Sequence, residues 1–205
     1  MTTLFIIAIT VIASMYAWRT YGAMEKYSFN PKRVVDHQEW YRFFTSSVLH
    51  ADWSHLIFNM FSLFFFGKAV EQYFNFYNGN GAAYLIALYL SAMVVSEIGT
   101  LFRHKSDSGY NSIGASGAVS AVVFAGIFFN PTSQILVMFI PMPGFAFGAI
   151  YLIYSAYASK NQLTAGHINH DAHLYGSVWG VVFTAISEPQ TIGAFFDALV
   201  HFQLF

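Results

Sequence analysis

The sequence predicts an all-α membrane protein, a single bundle of six transmembrane helices, and three observations carry that expectation. Only 9% of the 205 residues are charged, against about 25% in an ordinary soluble domain. Hydrophobic residues make up 56% and aromatic residues 20%. Apolar runs of helical length recur along the whole chain, separated by short polar loops, with no linker, repeat or low-complexity tract between them. Net charge is −1, which offers no electrostatic case for a nucleic-acid partner. The chain has no cysteine, and this excludes disulfides, thiolate metal sites and cysteine nucleophiles.

The first span is residues 2–18. A cleaved signal peptide is its rival, but the basic residue Arg19 follows the run and no small-residue cleavage site is evident, so a retained span is expected. Residues 19–50 mix charges with Tyr21, Tyr27, Phe29, Trp40, Tyr41, Phe43 and Phe44. This suits a segment at the headgroup level or a small folded loop on the membrane surface. The second and third spans are residues 53–73 and 82–102, joined by the turn sequence Asn78-Gly79-Asn80-Gly81. The fourth is 115–130. The run Ile135–Ile140 is too short to cross a core of roughly 30 Å and is broken by Pro141 and Pro143. It is expected to be interfacial or re-entrant, and the break before the fifth span marks a segment suited to gating. The fifth and sixth spans are 144–159 and 171–187. The tail, 191–205, carries Asp197 and His201 and is expected as a surface-lying helix. Basic residues gather in the first, third and fifth loops, which by the positive-inside rule would face the cytoplasm.

Polar side chains inside spans are costly, so each is a functional candidate. His55 and Asn59 lie four apart on one face of the second span, an arrangement equally suited to an interhelical hydrogen bond. His173 shares a stripe with Gly176 and Gly180, where a neighbouring helix can approach closely. The fourth span opens at Gly114-Ala115-Ser116-Gly117, just after the polar loop Arg103–Asn111. A hydroxyl between two glycines at a helix start is accessible, and the first N–H groups of the helix lack intrahelical partners. Small residues here also suit simple helix contact. A serine needs a base and an oxyanion site to act as a nucleophile, and His173, His55 and Asn59 are residues of the required types. Ala118 occupies the position that a Gly-x-Ser-x-Gly elbow would need as glycine.

Over nearly its full length the chain resembles the rhomboid intramembrane serine proteases. Three motifs carry the resemblance: Glu39-Trp40-Tyr41-Arg42 with Thr45, His50, His55-Leu56-Ile57-Phe58-Asn59-Met60 and Gly67-Lys68-Ala69-Val70-Glu71; then Gly114-Ala115-Ser116-Gly117; then Ala172-His173 with Gly176 and Gly180. The resemblance implies a rhomboid-like six-helix bundle with a Ser116–His173 catalytic dyad. His55, Asn59 and the Ser116 backbone N–H would form the oxyanion hole. Gly114 and Gly117 would pack near the nucleophile, Glu39 and Arg42 would belong to a folded membrane-surface first loop, and His50 would be structural. No cofactor is implied. The partners would be transmembrane protein substrates and the lipid bilayer, in a multi-pass protein of the bacterial inner membrane. The family topology puts the first, third and fifth loops outside, opposite to the basic-residue count, and is preferred because the first loop is a folded element.

One position departs from the family pattern. Many members carry a tyrosine one turn after the nucleophile, stacked on the catalytic histidine. Here it is Ser120, which leaves two alternatives: Tyr175 or another ring compensates, or the imidazole is held less firmly. The same resemblance admits a catalytically inactive protein that binds transmembrane helices. A metal site built from His167, His170, Asp171 and His173 is a rival of a different class, without the spacing of a helical His-Glu-x-x-His site. A transporter would need an intramembrane charge pathway, and Glu97 is the only acidic residue placed clearly within a span.

Overall fold

The computed structural model describes residues 1–137, 140–162 and 168–203. It is almost wholly helical: α1 (Thr2–Arg19), α2 (Ala23–Tyr27), α3 (Pro31–His37), α4 (Arg42–Thr45), a 3-10 turn (Ser46–Val48), α5 (Trp53–Asn78), α6 (Gly81–Val95), α7 (Ile98–His104), α8 (Ser116–Phe129), α9 (Gly144–Lys160), α10 (His170–Ser187) and α11 (Gln190–Val200). Two described helical units are long and apolar enough to cross a bilayer by length and composition alone: α1, and α6 with α7 taken together as Gly81–His104.

The core is organised around α8, which is apolar all round and buried over nearly its whole length. It packs on α5, α6 and α10, with lighter contact to α9 and α11. Its small residues Gly117, Ala118, Ala121, Ala125 and Gly126 let neighbouring backbones come close. Close backbone approach matters because lipid supplies no hydrophobic drive between helices. The tightest seam is with α10. A methyl group on Gly176 would overlap the Gly117 carbonyl oxygen, and one on Gly180 would overlap that of Ala121. The stripe expected around His173 is thus a seam between two backbones.

On the other side α1 leans on α5, where a Cβ at Gly67 would come within 2.7 Å of the Thr3 methyl. Glu71, one turn further along α5, accepts hydrogen bonds from Thr2 Oγ1 (2.9 Å) and Thr3 Oγ1 (3.3 Å). The second helix runs to Asn78, five residues past the expected end, and is stopped by Gly79 at φ 75°. The third is interrupted at Ser96–Glu97.

Of the two forms expected for residues 19–50, the structure has the folded loop. Arg42 is fully buried, its Nε donating to Glu39 and its Nη1 to the Ser28 carbonyl. Glu39 also accepts two bonds from Arg33 at 3.0 Å. These guanidinium contacts, Arg33 first, hold the Glu39 carboxyl down at about 2. Backbone bonds between Phe29 and Ser112 (2.8 and 3.0 Å) fasten this loop to the segment that leads into Ser116.

The run Ile135–Ile140 forms part of a two-stranded antiparallel ribbon, β1 (Gln134–Val137) and β2 (Ile140–Pro143). Met138 and Phe139 lie outside the described residues. Pro141 and Pro143 are compatible with this pairing, because a two-stranded ribbon has only edge strands, where a missing N–H can face away from the partner. In the tail, α11 packs Phe195 on Phe128 (ring centroids 4.9 Å) and exposes Ile192, Phe196 and Val200 along one face.

Candidate active site

The nucleophile candidate sits at the point where α8 begins. Gly114 has φ 135°, a conformation that favours glycine. A Cβ there would also come within 2.7 Å of the His55 ring. Its N–H donates to the Ser46 carbonyl (3.0 Å), which anchors the turn to the first loop. Ser116 is the first residue of α8, half-buried, with its backbone N–H among those left free at a helix start.

His50 braces this turn from behind. It is fully buried, and the Ala115 N–H donates to its Nε2 (3.4 Å), leaving Nδ1 protonated toward Ser14 Oγ (3.0 Å). Ser14 Oγ in turn donates to the Val48 carbonyl (3.0 Å). Burial, with a smaller contribution from His55, lowers the His50 imidazole to about 3, so it is neutral at physiological pH. Its ring also meets His55 edge-on at 4.9 Å. Ser14 was not among the sequence candidates, although a hydroxyl inside a largely apolar helix was a signal that could have found it.

Ser116, Asn59 and His173 line one hollow of about 170 Å³. Phe58 and Ser62 of α5, Val119 and Phe124 of α8, and Phe147 and Tyr151 of α9 complete much of its wall. It is smaller than the 300–1,000 Å³ typical of small-molecule sites. Its size suits one side chain and a water-sized reactant. Ser116 and His173 line the same space without a hydrogen bond between them. The active-site bonds of an unliganded enzyme are often long and tighten only around substrate.

Asn59 is nearly buried, and its amide nitrogen donates to the His55 carbonyl one turn earlier (3.0 Å). The pair therefore bonds within α5 and not across to another helix, which leaves the second amide hydrogen of Asn59 for the hollow. Asp171 is turned away from His173. It pairs with Arg103 Nη1 (3.0 Å) and accepts a hydrogen bond from Ser159. The start of α10 is set by Asn169, whose side chain accepts from the Ala172 N–H (3.0 Å) and whose amide reaches Glu97 (3.2 Å). Glu97 is thus engaged in capping a helix. Among the described residues no three His, Asp or Glu side chains gather to hold a metal ion. His167, one of the ligands considered, lies outside them.

Tyr175 does not lie against His173. Its ring fills the space beside Gly99 instead. The ring stacked on His173 is that of Tyr151, from α9, at 6.0 Å between centroids and 21° between planes. Its hydroxyl is 3.0 Å from Ser120 Oγ. No local pattern in the sequence singled out Tyr151 among the many aromatic residues.

The chain is 28% identical over 150 residues to the putative rhomboid protease YdcA of Bacillus subtilis, covering 73% of this chain and 68% of the relative. It is 31% identical over 153 residues to RHOMBOID-like protein 12, mitochondrial, of Arabidopsis thaliana, covering 65% of this chain and 42% of the relative. It is 27% identical over 162 residues to the rhomboid protease GluP of Bacillus subtilis, covering 79% of this chain and 29% of the relative. The chain therefore spans less than half the length of two of these three. The model of the rhomboid domain matches residues 37–189, three-quarters of the sequence, and that stretch includes every residue lining the hollow. With that match, the chain belongs to the rhomboid family of integral membrane proteins.

Proposed function

We propose that this protein is an intramembrane serine endopeptidase that hydrolyses a peptide bond in or near the transmembrane segment of other membrane proteins. The observation that carries this is the shared hollow: a serine at a helix start, a histidine and an amide donor converge on it from α8, α10 and α5. His173 would take the proton from Ser116 Oγ as the oxygen attacks the peptide carbonyl. The negative charge that develops would be met by the Ser116 N–H, the free amide hydrogen of Asn59 and the His55 ring beside Gly114. The tetrahedral adduct then expels the amine, which leaves with the proton from His173. Water, deprotonated by the same imidazole, releases the acyl group from Ser116.

The spans in this proposal are α1, α5, α6 with α7, α8, α9 and α10, in a single domain that carries the first loop at the outer surface. Short α8, at 14 residues, would thin the bilayer locally or end in a water-filled recess. Relatives in Bacillus support the bacterial cell membrane as its location. The chain lacks cysteine, so a single cysteine placed at Gln38 reports sidedness directly: labelling from outside the cell is expected, and labelling only after lysis would reverse the topology.

The deciding experiment is labelling of the purified protein with a fluorophosphonate, beside cleavage of a transmembrane substrate. Wild type should label and cleave, while Ser116→Ala and His173→Ala should do neither. Asn59→Ala should label but turn over roughly 10²-fold more slowly, on the scale of a lost oxyanion donor. Undiminished cleavage by Ser116→Ala would refute the assignment. The missing Ser116–His173 hydrogen bond favours one second possibility, an inactive relative that binds transmembrane helices. A wild-type serine that does not react would select it.

A further inference from the structure

We propose that Tyr151, braced by Ser120, is the positioning residue for the His173 imidazole, supplied from α9 and not from the helix that carries the nucleophile. This rests on the Ser116–His173 mechanism above. An imidazole that works as a general base needs something to fix its plane and tilt. In many serine hydrolases a carboxylate does so through the second ring nitrogen. No such group serves here. Asp171 is occupied by Arg103 and Ser159, and among the described residues no hydrogen bond reaches either ring nitrogen of His173. His170 meets the ring only edge-on, at 6.2 Å and 79°.

Among the described residues the one flat contact is Tyr151, nearly parallel to the imidazole at 21°. The tyrosine is itself held at both ends. Phe124 and Phe147 flank its ring, each 5.6 Å away between centroids. Its hydroxyl is fastened to Ser120 Oγ at 3.0 Å. Ser120 lies one turn beyond Ser116 on α8, buried at 6% exposure, and its small side chain leaves the room that the Tyr151 ring occupies. Ser120 and Tyr151 therefore act as a pair: a small bracing group on the nucleophile's helix and a ring reaching in from its neighbour. The plane of the base is thus set by where α9 sits.

The test measures second-order fluorophosphonate labelling of Ser116 in the full chain in detergent micelles, with kcat and KM on a transmembrane substrate. A small probe reports dyad reactivity without needing a substrate helix to fit. Tyr151→Ala should lower the labelling rate about tenfold, from loss of the stacked ring and its hydroxyl bond. On substrate the loss should fall on kcat, with KM close to wild type. Tyr151→Phe keeps the ring and should lose about two- to threefold. Ser120→Ala should match it, and the two combined should be no worse than either alone, because both remove one bond. Ser120→Tyr with Tyr151→Ala, which moves the ring onto α8, should recover most of the labelling rate. Wild-type labelling rates in Tyr151→Phe, Ser120→Ala and Tyr151→Ala would overturn the proposal, as would a rise in KM alone. Should Tyr151→Ala fail to fold, the Phe, Ala and combined variants decide it. Failure of wild type itself to label, beside Ser116→Ala, would strike the dyad and not the tyrosine.

Discussion

The two sides of the hollow are built by different rules. Along α8 and α10, backbones touch: Gly176 and Gly180 of α10 lie directly against the carbonyls of Gly117 and Ala121, and Ser116 and His173 ride on the two halves of that seam. On the α9 side contact is made through rings and hydroxyls, and α9 leans on α10 without substantial contact to α5 across the hollow. The first wall has no slack, because a carbonyl oxygen cannot rotate aside. The second is held by groups that can turn about a bond. The groups that react therefore stand on the stiff wall, and the ring beside the base comes from the adjustable one.

The largest effect on stability should come from breaking what pins α9 to the stiff wall. Arg103 reaches Asp171 at the start of α10 and donates to the Ser159 carbonyl near the end of α9. Arg103→Ala would leave a buried carboxylate without its cation, and a loss of about 3 kcal/mol is expected. Reversible denaturation in detergent measures it, and hydrogen exchange should rise at the C-terminal end of α9 ahead of α8. A negligible loss would mean that α9 needs no clasp.

Next comes a matched pair of glycine substitutions. Gly176→Ala should cost about 1–3 kcal/mol, since the added methyl meets backbone that cannot yield. Gly148→Ala on α9 meets only side chains at ordinary contact distance, the Phe124 ring at 3.4 Å and Ile127 at 3.7 and 3.8 Å. It should be neutral or stabilising by up to about 1 kcal/mol, from helix propensity. Equal costs would erase the distinction between the walls.

A third, of similar or smaller size, concerns the turn that presents the nucleophile. His50 is held neutral with its imidazole at about 3, whereas the unfolded chain titrates near 6.5. Below pH 6.5 the unfolded state binds the extra proton, so stability should fall as pH drops and level off only near 3. Between pH 7 and 5 the loss is about 2 kcal/mol. His50→Gln should flatten that part of the profile, and an unaltered slope would place the titration elsewhere.

The seam was legible in the sequence because helical spacing alone puts His173, Gly176 and Gly180 on one stripe, whichever helix faces it. The Gly114–Gly117 turn was legible for a similar reason, since its chemistry is local. Tyr151 was not, because its role depends on the rotation of α9 against α8 and α10, set by packing among residues far apart in sequence. The ribbon at Gln134–Pro143 was missed because apolar content hid its pairing, which exists only between its own two halves. Asn59 was identified as a polar group in a span, but its bond to the His55 carbonyl shows that a helix can satisfy such a group on its own.

The chain of bonds from the Ala115 N–H through His50 to Ser14 carries one consequence further. No residue of α1 lines the hollow, yet α1 holds the far end of the strut that fixes the nucleophile's turn. The opening helix is in effect a remote tuning peg: a substitution at Ser14 would detune the serine's pose while every group that touches substrate stays chemically intact.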